Sequence, residues 1–498
     1  MRTLTSLARA VAVATGTAQR TCTVRHVHVS ARPLVFVPLA LAGEAVAPLA
    51  AIVGDQPQAP ALLVVAEPRD RDQRFAFAAD LAAVVLRYID GYLAEQEPTP
   101  GREPATRYAD APQLLVPNQA GITFTRLLGR STRFRRTEGP YAVPPSVPLL
   151  GRWLTFFTER AESPSSSLML AATDVLAAHW ATGQSPVEDR NLGALLGWID
   201  PPPGMSGAQA AAAAEDPVRC PPAGPATDPT FDNEVLDQRM LAVRAARLSG
   251  DGRAFQRAAA ALTAALATQL EPTWALMWRA VALLRALPEG AHVAARWDGD
   301  KDAFTWHARH VADGGPPQPR RDGAVAAARR LASLERLHEM VAAQRAFDDP
   351  LVMAEHRLAG EAFAGRVVAA EPDRVVGAGA RRVLRPRITV ETGDVPPAEP
   401  GGTFTSPARP GQQARVVAVT AAGGRTRVVL ELRGGMGRSL TPPPGSMPAL
   451  GEFVSYAAFG DGWQPPPAFP APEDTPWTHG GPPARYAPDD DDAREDWS

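Results

Sequence analysis

Hydrophobic residues change their spacing twice along this chain, and each change marks where one kind of core must give way to another. Beyond Asp373 apolar and polar positions alternate in "RRVLRPRITVET", "RVVAVTA", "RTRVVLELR" and "GEFVSYAAF", the period of a half-buried strand. A lone hairpin is marginal in water, so these segments predict one small sheet or barrel. Within it, Arg415 to Arg438 reads as a hairpin turning on Gly423 and Gly424, where positive φ carries no steric cost. On its second strand Thr426, Val428, Leu430 and Leu432 point to the core, and Arg425, Arg427, Glu431 and Arg433 point outward.

The N-terminal part follows another rule. From Pro33 to about Glu97 the pattern is strand, helix, strand, helix, with "PLVFVPLAL" and "ALLVVAEP" as the β-rich runs. In "QRFAFAADLAAVVLRYIDGYL" the residues Phe77, Leu81, Val84, Val85, Tyr88 and Ile89 recur at helical spacing. "PQLLVPN" followed by "AGITFTRLLGR" repeats the unit, which predicts an α/β layer with some parallel pairing. Helical stretches come next, and Ser165 to Ser167 are natural N-caps for "SSSLMLAATDVLAAHWATG".

Proline and glycine fragment Asp200 to Thr230, which reads as a linker. From Phe231 to about Glu371 the spacing is helical almost throughout. Gly250 is a stop, Asp349 with Pro350 is a cap and first-turn pair, and no repeat period is present. The 51 prolines are roughly twice the usual share, as linkers and loose ends require. The expected fold class is therefore α+β and multi-domain. An N-terminal α/β unit runs into helices over 1–199, and the linker spans 200–230. A helical domain covers 231–372, a small basic β-sheet or barrel 373–460, and a disordered acidic tail 461–498.

Several chemistries are excluded or disfavoured. Among the 51 Lys+Arg residues one is lysine, Lys301, and it lacks the preceding glycines of a phosphate loop. Its aspartate-flanked context gives no reason for the lowered pKa of a Schiff-base lysine. Cys22 and Cys220 are too few and too far apart for a disulfide framework or metal-ligand spacing. No run reaches the roughly 18 apolar residues of a membrane span, and Arg9 interrupts the apolar core of the signal-like N-terminus. A cytoplasmic chain without a membrane partner, metal or cofactor is the expectation.

"DGDKDAFTWHAR" spaces its aspartates like a calcium loop but lacks the turn glycine and final carboxylate, so it reads as a solvated helix start. His307 and His310, three apart on a helix, read as a surface pair rather than a metal site. Glu67, Asp70 and Asp72 follow a strand directly, where an α/β sheet places ligands, and are the candidate catalytic or divalent-metal carboxylates. The competing reading has one aspartate capping the next helix while Arg69, Arg71 and Arg74 neutralise the turn.

Charge clusters in the β-domain. Across Arg381 to Arg438, ten arginines face the four acids Glu391, Asp394, Glu399 and Glu431. Arg415, Arg425, Arg427, Arg433 and Arg438 are the candidate nucleic-acid contacts, since small barrels with such a face track phosphate backbones. The tail supplies the opposite sign through Asp489, Asp490, Asp491 and Asp492, with Trp497 near its tip, and these are the candidate partner-binding residues. In composition, over about ten residues, it resembles the tails of bacterial single-stranded-DNA-binding proteins, a resemblance that implies partner recruitment. The reading is a non-enzymatic binding or scaffold protein, with nucleic acid on the β-domain and a protein partner on the helical domain or tail. The alternatives are a metal-dependent enzyme using the N-terminal carboxylates, or a scaffold that binds protein only.

Overall fold

In the computed structural model the described residues are 3–44, 47–99, 105–217, 219–317, 323–377, 382–395, 399–462 and 468–469. The chain divides into two compact units. The larger takes in Ala8–Arg20 and Arg25–Ala328. The smaller takes in Thr21–Val24 with the described parts of Met1–Leu7 and Arg329–Ala468.

The larger unit is built on a five-stranded sheet of β1 (Leu34–Ala40), β2 (Pro48–Gly54), β3 (Ala61–Val64), β4 (Leu114–Val116) and β5 (Met169–Ala171), in the order β3-β2-β1-β4-β5. β1 and β4 pair in parallel, as do β4 and β5, whereas β2 runs antiparallel to both β1 and β3. Successive side chains leave opposite faces of a strand, and both faces here are apolar. Phe36, Val53, Leu114 and Val116 meet α1 (Arg71–Asp90), α2 (Gln119–Thr132) and α3 (Ser146–Arg160) on one side. On the other, Val35, Val37, Ile52 and Leu115 meet Leu262, Leu266 and Leu270 of α4 (Gly252–Arg285). The result is a helix, sheet, helix sandwich.

Segments of the larger unit depart from their expected type. Pro48–Gly54, in the stretch expected to be helical, is a strand, and Met169–Ala171, inside an expected helix, is the edge strand β5. Both are short and apolar enough to be buried on two faces, so their sequences carry no period-two signal. Ser166 and Ser167 do not cap a helix: the Ser166 hydroxyl and the Ser167 amide donate to Asp300 at 2.6 Å each. That aspartate is fully buried midway along α5 (Val293–Ala312), so "DGDKDAF" is neither a helix start nor solvated throughout.

Asp200 to Thr230 is also built into the larger unit rather than stretched between two. It contains a helix, Gly207–Glu215, closed by a Ser206/Gln209 capping box. The Asn118 amide donates to the carbonyls of Ala223 and Gly224, and Ala40 donates to that of Pro225. Proline interrupts regular elements, but its carbonyl remains an acceptor and its ring still buries. The compact division instead falls near residue 328, within the span expected to be one helical domain.

The smaller unit holds most of α6 (Ala324–Asp348), α7 (Pro350–Leu358) and a closed six-stranded barrel. Asp349 caps α7 by accepting from Leu351, with Pro350 in the first turn as the sequence predicts. The barrel runs β6 (Ala362–Glu371), β7 (Arg387–Thr392), β10 (Arg425–Arg433), β9 (Gln413–Ala422), β8 (Thr403–Thr405) and β11 (Phe453–Ala457), closing between β11 and β6. Its first strand lies in the stretch expected to be helical. Phe363, Val390, Phe404, Val416, Val428, Leu430 and Tyr456 fill the interior. Among the described residues no helix is long and apolar enough to cross a membrane.

Candidate functional site

The hairpin of β9 and β10 turns through Gly423 and Gly424 at φ 57° and 79°, a primed turn that only glycine adopts twice without strain. Val428, Leu430 and Leu432 are buried, and Arg425, Arg427, Glu431 and Arg433 lie on the outer face, the alternation expected from sequence. Closure of the barrel lays β7 and β9 on either side of β10. Glu431 then has Arg387 and Arg415 as its cross-strand partners.

Two glutamates organise this face. Glu431 accepts from Arg433 and Arg374, each at 2.9 Å. Partial burial pushes its carboxyl up, but the two guanidiniums outweigh that and hold it below the usual carboxylate range. Glu391 is 3.0 Å from Arg427 and 3.7 Å from Arg425. Arg415 and Arg438 are exposed, and among the described residues neither enters an ion pair. Arg438 stands in a turn beyond the end of β10 rather than on the strand face. Arg374 had no signal in the sequence, because it precedes a separate short hairpin, Val375–Val376 with Val383–Leu384.

The three N-terminal carboxylates go to separate partners. Asp70 is the N-cap of α1, accepting from the Gln73 amide at 2.9 Å. Asp72 pairs with Arg71, and Glu67 with Arg247. Among the described residues these three do not bring their ligand atoms within 4.8 Å of one another. Asp70→Ala is expected to cost about 1 kcal/mol in urea unfolding, the worth of a cap. A melting shift with added divalent cation that Asp70→Ala plus Asp72→Ala abolishes would return the metal reading.

His307 and His310 are engaged by aromatic neighbours. His307 stacks on Phe156 at 4.3 Å and meets the edge of Trp153 at 4.8 Å, while His310 stacks on Trp306 and contacts the Pro316 carbonyl. Lys301 donates to Glu97 and Asp298 at 2.8 Å each. Burial lowers its pKa, but those two bonds outweigh it and the net shift is upward, the reverse of what a Schiff-base amine needs. Asp489, Asp490, Asp491, Asp492 and Trp497 lie outside the described residues. No known protein family, curated protein or solved structure matches this chain.

Proposed function

We propose that the arginine face of the barrel holds the phosphate backbone of a nucleic acid, and that the chain is a binding or scaffold protein rather than a catalyst. The observation carrying this reading is the grouping of Arg387, Arg415, Arg425, Arg427 and Arg433 on three adjoining strands with Arg374 beside them; Glu371 opposes Arg387 from the next strand, and Glu391 and Glu431 lie among the other arginines. Both glutamates are shared between arginines, so they orient the guanidiniums while leaving positive charge in excess. A guanidinium fork matches phosphate oxygens bidentately, and neutralising phosphates releases counterions. β7, β9 and β10 carry no aromatic residue, so bases find nothing to stack on along those strands and binding is indifferent to sequence. The acidic tail, Asp489 to Asp492 with Trp497, is proposed to compete for the same face.

Fluorescence anisotropy tests this with single-stranded DNA, duplex DNA and RNA over a salt series, using the whole chain and one cut after Gly460. Affinity is expected to fall steeply with salt and to tighten when the tail is removed. Substituting Arg415, Arg425 and Arg427 by alanine removes three contacts and lowers the single-strand log–log salt slope by about 2. Binding without salt dependence, or unchanged in the triple variant, refutes the proposal.

A further inference from the structure

Barrel closure carries the outer face beyond the three arginine strands. Across the strand registers, one row of directly paired residues runs through Phe453 on β11, Arg366 on β6, Glu391 on β7, Arg427 on β10 and Thr420 on β9. Residues paired in this way leave the sheet on the same side. That side is the outer one, because Val367, Val390, Val428 and Val454, each next to a member of the row, are buried in the interior. At Gly365 an added Cβ would collide with the Glu391 carbonyl, so glycine lets β6 close against β7 at this level. The ring of Phe453 therefore stands in line with the arginines.

Phe453 fills no core. It is 62 % exposed, although Val454 and Tyr456 on the same strand are buried. Leu450, 70 % exposed, and the exposed Val368 lie close to it. The Gly451 amide donates to the Val367 carbonyl at 2.8 Å, and the Val367 amide to the Glu452 carbonyl at 2.9 Å. Those two bonds hold the turn over 449–452 against the bulge that β6 makes between Val367 and Ala369, where Val368 emerges. Arg366 is one strand from the ring, a spacing of about 4.8 Å. Its Nη1 donates to the Gly451 carbonyl at 3.1 Å, which turns the guanidinium toward the same turn. Farther along the row, Glu391 is engaged by Arg427 at 3.0 Å and Arg425 at 3.7 Å.

An exposed apolar patch marks a surface that something covers, and the charges beside it select what. Here ring and guanidiniums share about 14 Å of barrel wall, the three strand spacings from Phe453 to Arg427. A single nucleic-acid strand has the matching chemistry. Each nucleotide joins a flat base to a charged phosphate, and an unpaired base is free to stack on an aromatic side chain. In a duplex the base faces already stack on one another, so only base edges and phosphates reach a protein. Resting on the phosphate-binding reading above, we infer that the barrel face takes a single strand, with a base stacked on Phe453 and the adjoining phosphates on Arg366 and Arg427. Stacking tolerates every base, so indifference to sequence is kept.

Fluorescence anisotropy of the whole chain tests this with oligothymidylate, the same strand paired to oligoadenylate, and an abasic strand of equal length. Oligothymidylate is expected to bind most tightly of the three. Phe453→Ala and Phe453→Leu are each expected to weaken it by at least about fivefold while leaving the duplex and the abasic strand unchanged, and Phe453→Trp to retain full affinity. Leucine keeps the apolar bulk, so a loss common to both variants belongs to the aromatic face and not to packing. Arg366→Gln with Arg427→Gln is expected to weaken all three ligands and to lower the single-strand salt slope by about 1.4. An effect of that arginine pair with none from Phe453→Ala sinks the stacked strand, leaves the phosphate-binding reading standing and turns the patch toward a protein partner. No binding of any ligand removes both readings. A duplex that binds more tightly than the single strand, or an equal loss on all three ligands in Phe453→Ala, overturns the single strand as occupant.

Discussion

Phe304→Ala is expected to destabilise the larger unit by about 3–5 kcal/mol, and Trp306→Ala, two residues on and a larger deletion, by no more than about 0.5 kcal/mol. Phe304 has no exposed surface and lies between Trp153 at 5.7 Å and Tyr108 at 5.4 Å, so truncation leaves a cavity walled by rings that cannot collapse into it. Trp306 is 68 % exposed on the opposite side of α5. Urea unfolding of the whole chain, followed by tryptophan fluorescence, separates the two variants. Near-equal effects would mean that α5 does not dock through Trp297, Asp300, Phe304 and Ala308.

That face explains why the sequence of this helix reads as solvated. An apolar stripe at positions 297, 304 and 308 is interrupted at 300 by an aspartate, and Asp298 and Asp302 flank it. Three acids in five residues look solvated. Asp300 is tolerated inside because the Ser166 hydroxyl, the Ser167 amide and Arg160 all donate to it, donors more than 130 residues away. Burial still pushes its carboxyl above the ordinary range, against the pull of those bonds.

The same distinction separates what was legible elsewhere. The β9 and β10 hairpin could be read because its turn residues, apolar alternation and outward arginines lie within about twenty positions of one another, and local patterning decides a hairpin. Leu34–Ala40 and α1 could be read because the first is an unbroken apolar run and the second spaces its apolar residues helically. Ala362–Glu371 could not: alanine and glycine weaken its β signature, and it becomes a strand by pairing with Arg387–Thr392 and Phe453–Ala457. Arg71 and Arg74 read only as neutralising a turn, and nothing local showed that Arg135, more than sixty residues on, lines one cavity with them. Likewise the sharing of Glu431 by Arg374 and Arg433 could not be read, because Arg374 comes from outside the barrel strands and far from Glu431 in sequence.

Acidification should weaken the larger unit through His307. Burial against Phe156 and Trp153, reinforced by repulsion from Arg152 and His310, lowers its pKa to about 3. A free histidine titrates near 6.5, so between those values the unfolded chain binds a proton that the folded chain refuses. Stability from this residue is therefore complete above about pH 6.5 and is lost as pH falls through the window toward 3. The limiting slope is about 1.4 kcal/mol per pH unit. Because the ring is only partly shielded from water, a loss of about 1–2 kcal/mol between pH 6.5 and 4.5 is expected. Urea midpoints for the native chain and His307→Phe across that range isolate the effect, since the depressed His28 and the carboxylates titrate alike in both proteins. The variant should retain the stability that the native chain loses, because phenylalanine keeps the stack on Phe156 without a proton to gain. Identical pH profiles would show that His307 charges without cost, and a zinc-induced rise in melting temperature that His307→Phe removes would mean that the imidazole faces a metal rather than the aromatic wall.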